Sequence, residues 1–362
     1  MPPAIRHNPA WTAIVPAAGL LALAISAAMP GLAVLQALLV AGLFGSVIAA
    51  VHHAEVIAHK VGEPYGTLVL ALAVTAIEVA LIVSMMLSGG EDTAGLARDT
   101  VFAAVMLILN GIVGLSLLAG SRRHLIQHYQ VDGVTAALAT LSAIVILALV
   151  LPNYTTTTAG PTYTPAQLGF IAVATLVLFA AFTLFQAVRH RDYFLPVDDT
   201  DATDEHAAPP TRGETSASII LLLVALVVVV LSAKLLAPVM ESALDRAGAP
   251  RGVVGILIAA LVLLPEGVAA MRAAIANRVQ TSLNLAMGSA IASIGLTIPT
   301  VAIVALAMGW PLALGLDHKS TVLLALTLFV SSISLRTGRT NLQLGIVHVV
   351  LLVAYLFMSF LP

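Results

Sequence analysis

The sequence predicts an all-α integral membrane protein: one N-terminal helix followed by two inverted five-helix repeats, about eleven spanning helices in all. Three observations carry this. Of 362 residues, 60% are hydrophobic and only 9% are charged, whereas a soluble domain carries about 25% charged residues. Apolar runs near the roughly 20 residues needed to span a bilayer core recur along the whole chain. Finally, one acid-bearing unit occurs twice. EVIAHKVGEPYG (Glu55 to Gly66) and ESALDRAGAPRG (Glu241 to Gly252) both read Glu, eight residues, Pro, one residue, Gly.

Cutting at polar and Pro/Gly punctuation places helices at approximately 11–29, 31–51, 65–88, 100–119, 133–151, 166–188, 217–240, 252–271, 281–308, 320–335 and 343–361. The first run, Trp11 to Met29, lacks a small-residue cleavage site and reads as a retained helix. Met29-Pro30-Gly31 divides it from the second, which is expected to reach Glu55 if it continues. Residues 1–30 form the N-terminal unit, 31–188 the first repeat and 217–362 the second. Between the repeats lies RHRDYFLPVDDTDATDEHAAPPTRGETS (189–216). It is rich in Asp, Glu, Pro and Thr without a core pattern, so it reads as a solvated acidic linker. Its acids lack the spacing of an EF-hand loop.

Because each set has five helices, two homologous sets must cross the membrane with opposite orientations. The match extends beyond the acid-bearing unit. Aligning Thr100 with Thr281 also aligns Phe102 with Leu283, Met106 with Met287 and Gly114 with Gly295. Inverted repeats are the architecture of many secondary transporters, whose ions bind near the midplane at the repeat interface. Orientation follows from the basic residues. With the N-terminus inside, Arg6, Lys60, Arg122, Arg123, Arg189, Arg191, Arg212, Arg272, Arg278, Arg336 and Arg339 are cytoplasmic. Arg98, Arg246, Arg251 and Lys319 are outside, and Lys234 lies within a helix, where snorkelling accounts for it. The N-terminus is expected inside and the C-terminus outside.

Each repeat carries a lone acid inside an apolar run: Glu78 in LVLALAVTAIEVALIV and Glu266 in ILIAALVLLPEGVAAM. A carboxylate at the bilayer centre costs about 2.5–3.5 kcal/mol on insertion scales, so partners, a wet cavity, or a bound proton or cation must offset it. Thr75 sits one turn before Glu78 on the same face. Pro265 lacks a backbone donor and so frees the carbonyl one turn before it. Asn110, Asn284, Ser289 and Ser293 supply further oxygens on the fourth and ninth helices; Ser289 and Ser293, four apart, share a face. Two carboxylates with hydroxyl, amide and carbonyl oxygens suit hard cations such as Ca²⁺ or Na⁺ better than Zn²⁺ or Cu. Protons and cations then compete for the same oxygens, which is the chemistry of an antiporter. Glu55 and Glu241, nearer helix ends, are candidates for gates or the proton path. His52 and His53 precede Glu55 without counterparts in the second repeat, and titrate near neutrality.

Leu263 to Pro299 (LLPEGVAAMRAAIANRVQTSLNLAMGSAIASIGLTIP) resembles the second signature of the calcium/proton exchangers. With PYGTLVLALAVTAIEVALIV and RDTVFAAVMLILNGIVGL, the chain looks most like the bacterial calcium (sodium, potassium)/proton antiporter branch of the cation/calcium exchanger superfamily. The resemblance implies an eleven-helix antiporter of the bacterial inner membrane in which Glu78 and Glu266 bind cation and proton alternately. It implies Ca²⁺ export against H⁺, with a monovalent Na⁺ or K⁺/proton antiporter using the same site as the alternative. Partners are the transported ions and membrane lipid, with a homo-oligomer compatible with the family; no resident cofactor and no nucleic-acid partner are expected. In many relatives a Gly-Asn-Ala type turn precedes each glutamate. Here Thr75-Ala76-Ile77 and Leu264-Pro265 stand there, so that turn's side-chain amide is missing from both halves, which bears on ion selectivity. A passive channel and an intramembrane enzyme are the competing classes, and no His-Glu-x-x-His or Gly-x-Ser-x-Gly signature supports the enzyme.

Overall fold

A computed structural model describes residues 8–29, 32–62, 65–89, 93–195, 210–248, 250 and 252–361. The protein is almost wholly helical: α1 (Trp11–Ala28), α2 (Ala33–Val61), α3 (Tyr65–Gly89), α4 (Leu96–Met106), α5 (Val113–His124), α6 (Val131–Val145), α7 (Pro165–Leu184), α8 (Arg212–Ala247), α9 (Gly252–Ile275), α10 (Val279–Met308), α11 (His318–Ser334) and α12 (Leu342–Phe360). A π-helical turn, Leu107–Ile112, joins α4 and α5 into one continuous helix, which gives eleven helical segments. Among the described residues nine helices are long and apolar enough to cross a membrane, and α1 and α11 are shorter apolar helices. No strand forms among those residues beyond isolated bridges such as His128 with Arg339.

Each segment lies where the apolar runs predict, and the ends differ for identifiable reasons. The second helix continues through Glu55 to Val61, stopping at Gly62, whose φ of 76° suits glycine. α8 begins five residues before the expected 217, because Thr211 and Glu214 form a reciprocal cap. Thr211 N donates to Glu214 Oε2 (2.8 Å) and Glu214 N to Thr211 Oγ1 (3.2 Å). α7 starts on a similar pair, Thr164 and Gln167, with Pro165 at its first position. The hydrocarbon length sets only the apolar stretch; local caps decide where the helix stops. The linker's centre, 196–209, and Pro64 of the first acid-bearing unit lie outside the described residues.

The chain forms two compact units. The first takes the described residues within 1–88 and 200–247, the second those within 89–199 and 248–362. In the first unit α1, α2 and α8 pack together, with Leu39, Leu43, Val47, Ala50 and Ala54 forming the buried stripe of α2. Ser84 of α3 donates to the Val230 carbonyl of α8 (3.1 Å).

In the second unit α10 is central: Leu283, Met287, Ile291, Ile294, Ile298 and Val301 are buried as it packs on α6, α7, α4 and α9. α4 and α9 lie close together at Gly255, where an added Cβ would be 2.7 Å from the backbone carbon of Asp99. Gly255→Ala is therefore expected to destabilise the unit by about 1–3 kcal/mol, as overpacking against immobile backbone does. Thermal unfolding in detergent measures this; an unchanged midpoint would show that the two helices part without cost.

α11 is capped by Asp317, whose carboxylate accepts from Ser320 N at 2.8 Å. Burial alone would push this carboxyl up, but the hydrogen bonds from Ser320 and the charges of Lys319 and Arg98 outweigh burial and hold it below the usual carboxylate range. Because the folded-state value is depressed, the stabilisation is present above the unfolded value near 3.8 and is lost as pH falls through the folded one. Asp317→Ala is expected to cost about 0.5–2 kcal/mol at neutral pH. Its deficit against the wild type should shrink in unfolding experiments as pH falls through the folded-state value.

Candidate functional site

Glu266 sits in the middle of α9, 7% exposed. The helix runs unbroken through Pro265, so the proline deletes one backbone donor without parting the helix. On the neighbouring α10, Ser289 Oγ donates to Glu266 Oε2 at 2.6 Å, at the short end of the hydroxyl hydrogen-bond range. Ser293 follows one turn later, 2% exposed, and Thr297 another turn on, 0% exposed. The i, i+4 spacing aligns the three hydroxyls on one face of α10. Thr297 was not among the sequence candidates, although that period extends to it. Its buried hydroxyl makes no hydrogen bond in the structure.

Asn110 is also buried, but it is engaged elsewhere. It lies in the π-helical turn, a feature that often marks functional segments. Its amide Nδ2 donates to Thr327 Oγ1 of α11 at 2.9 Å. Its Oδ1 faces Nδ1 of His348 on α12 at 3.2 Å, and His348 Nε2 faces Ser334 Oγ at 2.8 Å. Since Oδ1 only accepts, His348 carries its hydrogen on Nδ1. The structure thus binds Asn110 into a network of Thr327, His348 and Ser334, three residues that sequence reasoning passed over. Their only signal was that each is a polar residue within an apolar C-terminal helix. Asn284 is likewise committed: its Nδ2 donates to the Phe194 carbonyl at 2.6 Å, and its Oδ1 accepts from Gln280 at 2.9 Å.

In the other unit Glu78 is buried on α3 (2% exposed), with Thr75 buried one turn before it. Glu55, toward the end of α2, is exposed, as is Lys234 on α8. The Glu241 side chain lies outside the described residues. Among the described residues no three His, Cys, Asp or Glu side chains cluster as a metal centre. The site chemistry legible in the second unit is one carboxylate beside hydroxyl oxygens, which suits a hard cation or a proton.

A cavity of about 240 Å³ lies at the ends of α4, α9, α11 and α12, lined by Arg98, Asp99, Asp317, Lys319 and Tyr355 among others. Its acids and bases are equal in number, and Arg98 Nε already donates to Asp99 Oδ1 at 2.7 Å. Glu266 is not among the lining residues, so this cavity is distinct from the carboxylate site.

Comparison with known proteins adds a second line of information. The family described as "Sodium/calcium exchanger protein" matches residues 31–188 and 217–361. The chain is 46% identical over 363 residues to y4hA of Sinorhizobium fredii, a protein provisionally named as an ionic transporter; the match spans 98% of this chain and 97% of y4hA. It is 34% identical to the sodium-potassium/proton antiporter ChaA of Escherichia coli (strain K12), over 92% of this chain and 91% of ChaA. Among solved structures, the Ca²⁺/H⁺ antiporter protein YfkE shares the fold, with a TM-score of 0.73 at 18% identity over 97% of this chain and 99% of YfkE.

Proposed function

Because the chain belongs to the sodium/calcium exchanger protein family, we propose that it is a proton-driven cation antiporter that exports Ca²⁺ in exchange for H⁺. Glu78 and Glu266 are the carboxylates that take cation and proton in turn, a pairing that rests on their matching positions in the two repeats. The observation that carries the proposal is the buried Glu266 carboxylate receiving the Ser289 hydroxyl at 2.6 Å. A buried carboxylate needs a proton, a cation or donors to offset desolvation. A hydroxyl serves all of these states, because it can donate to the charged carboxylate or turn its oxygen to a bound cation. Ser293 and Thr75 are further neutral oxygens. Asn110 lies in the π-helical turn, and a direct part in ligation requires its oxygen to leave His348.

Two carboxylates balance one divalent cation, and releasing two protons per Ca²⁺ makes the exchange electroneutral. Each pH unit then supplies about 1.4 kcal/mol per proton, enough for roughly a hundredfold Ca²⁺ gradient. Transport needs no group to react, so no catalytic residue is assigned. The bacterial relatives favour an inner-membrane protein, and the basic-residue asymmetry favours an N-terminus in the cytoplasm and a C-terminus outside. Glu55 and Glu241 then lie toward opposite faces, as gates or proton-path residues.

A second reading is a Na⁺ or K⁺/proton antiporter using the same carboxylates. It is favoured by the 34% identity to ChaA, a sodium-potassium/proton antiporter, over 92% of this chain. Everted vesicles with an imposed pH gradient separate the two. Ca²⁺ is expected to collapse the gradient on addition. A response confined to Na⁺ or K⁺ establishes the second reading, and no proton movement with any cation, in vesicles holding folded protein, refutes both.

A further inference from the structure

The first unit contains a buried titratable group that the exchange carboxylates do not account for. His53 lies on α2, 0% exposed, between α1 and α8. Its Nε2 faces the Thr12 carbonyl of α1 at 3.4 Å, and its Nδ1 faces Ser218 Oγ of α8 at 3.3 Å. Both neighbours are acceptors for reasons written into the chain. Within α1 the Thr12 carbonyl would receive the N–H of residue 16, but residue 16 is proline and has none. That carbonyl is left for His53 Nε2–H. On the other side, Asn8 Nδ2 donates to the Glu214 carbonyl at 3.0 Å, which fixes Asn8 Oδ1 as an acceptor. Ser218 Oγ donates its single hydrogen to that oxygen at 2.9 Å, so it turns only lone pairs toward His53. An imidazole with an acceptor at each nitrogen is matched to its doubly protonated form.

We propose that His53 is a proton-binding site at the junction of α1, α2 and α8, separate from the exchange carboxylates, and that its occupancy sets the pH range over which transport operates. The link to transport rests on the antiporter reading; the proton site does not. When the proton leaves, Nδ1 must take a hydrogen bond from Ser218, whose hydroxyl then turns away from Asn8. The charge on His53 is thereby tied to the contact between the segment before α1 and the start of α8. On α2 the neighbouring titratable groups are His52, whose ring centroid is 5.7 Å away, and the exposed Glu55; Lys60, farther along, donates to the Pro210 carbonyl. On α8 Glu214 accepts from Thr211 and Arg212 is exposed. α1 carries no titratable side chain. Among the described residues no carboxylate hydrogen-bonds to the His53 ring, and the proton is held by neutral acceptors, as suits one that is bound and released.

The test uses the full-length chain in lipid nanodiscs with ¹⁵N-labelled histidine, the His53 signals being identified by their loss in His53→Gln. From pH 5 to 9, Nδ1 is expected to pass from protonated to lone-pair shift while Nε2 stays protonated. In Ser218→Ala the midpoint is expected to fall by about half to one pH unit, the worth of one hydrogen bond to the proton-bound form. Signals that do not move across this range, or a Ser218→Ala midpoint equal to the wild type, overturn the proton site. In vesicles, the pH profile of exchange is expected to shift in both variants, and profiles that superimpose on the wild type overturn the role in transport. If wild-type vesicles exchange nothing, the antiporter reading fails while the His53 titration still decides the proton site.

Discussion

Glu266→Gln is expected to abolish cation-driven proton movement while leaving the protein folded. Glutamine has nearly the same shape and keeps an oxygen to accept from Ser289, so the packing of α9 on α10 survives. What disappears is the charge that a cation or proton neutralises. Each charge-assisted contact is worth about 1.5–3 kcal/mol, so losing several reduces exchange by more than about a hundredfold. On the proposed exchange Glu78→Gln is expected to match it, because each carboxylate carries one of the two proton loads. The assay is the decay of an imposed pH gradient on adding Ca²⁺, alongside a size-exclusion profile that reports folding. Wild-type exchange by folded Glu266→Gln would remove this residue from the mechanism and, with it, the pairing of the two repeats.

Ser289→Ala is expected to weaken cation affinity without abolishing exchange. The 2.6 Å bond from Ser289 Oγ to Glu266 Oε2 favours the charged carboxylate, the form a cation needs. Its removal costs about 1.5–3 kcal/mol of that preference, or roughly 10–100-fold in the half-saturating cation concentration. The effect should be largest at acidic pH, where protons compete hardest, and the rate at saturating cation should change far less. Ser289→Thr retains the hydroxyl and is expected to recover most of the affinity. If Ser289→Ala instead lowers the maximal rate with the half-saturating concentration unchanged, the serine is a packing residue and not part of the cation site.

Much of this was legible in the linear chain. Glu78 and Glu266 stand out because an isolated acid within an apolar run is costly and therefore conspicuous. Ser289 and Ser293 were recognisable from a spacing of four, and the helices themselves from the apolar length a bilayer demands. The surroundings of Asn110 were not legible. Its partners Thr327 and His348 are 217 and 238 residues away in sequence, and no local periodicity encodes a contact of that range. Nor does hydropathy announce the π-helical turn that presents Asn110, since an extra residue in one turn leaves the apolar character intact.

The sequence by itself determined the membrane class, the number of helices, the duplicated acid-bearing unit and the two isolated acids within apolar runs, because these follow from transfer energy and from repetition along the chain. Only the tertiary structure decided which polar groups meet. It gave Ser289 to Glu266, turned Asn110 toward α11 and α12, and set His53 between the Thr12 carbonyl and Ser218. The physical reason is that burying an apolar residue is non-directional and needs only the right period, whereas a hydrogen bond needs a particular donor and acceptor within about 3 Å. That proximity comes from helices distant in the chain packing side by side.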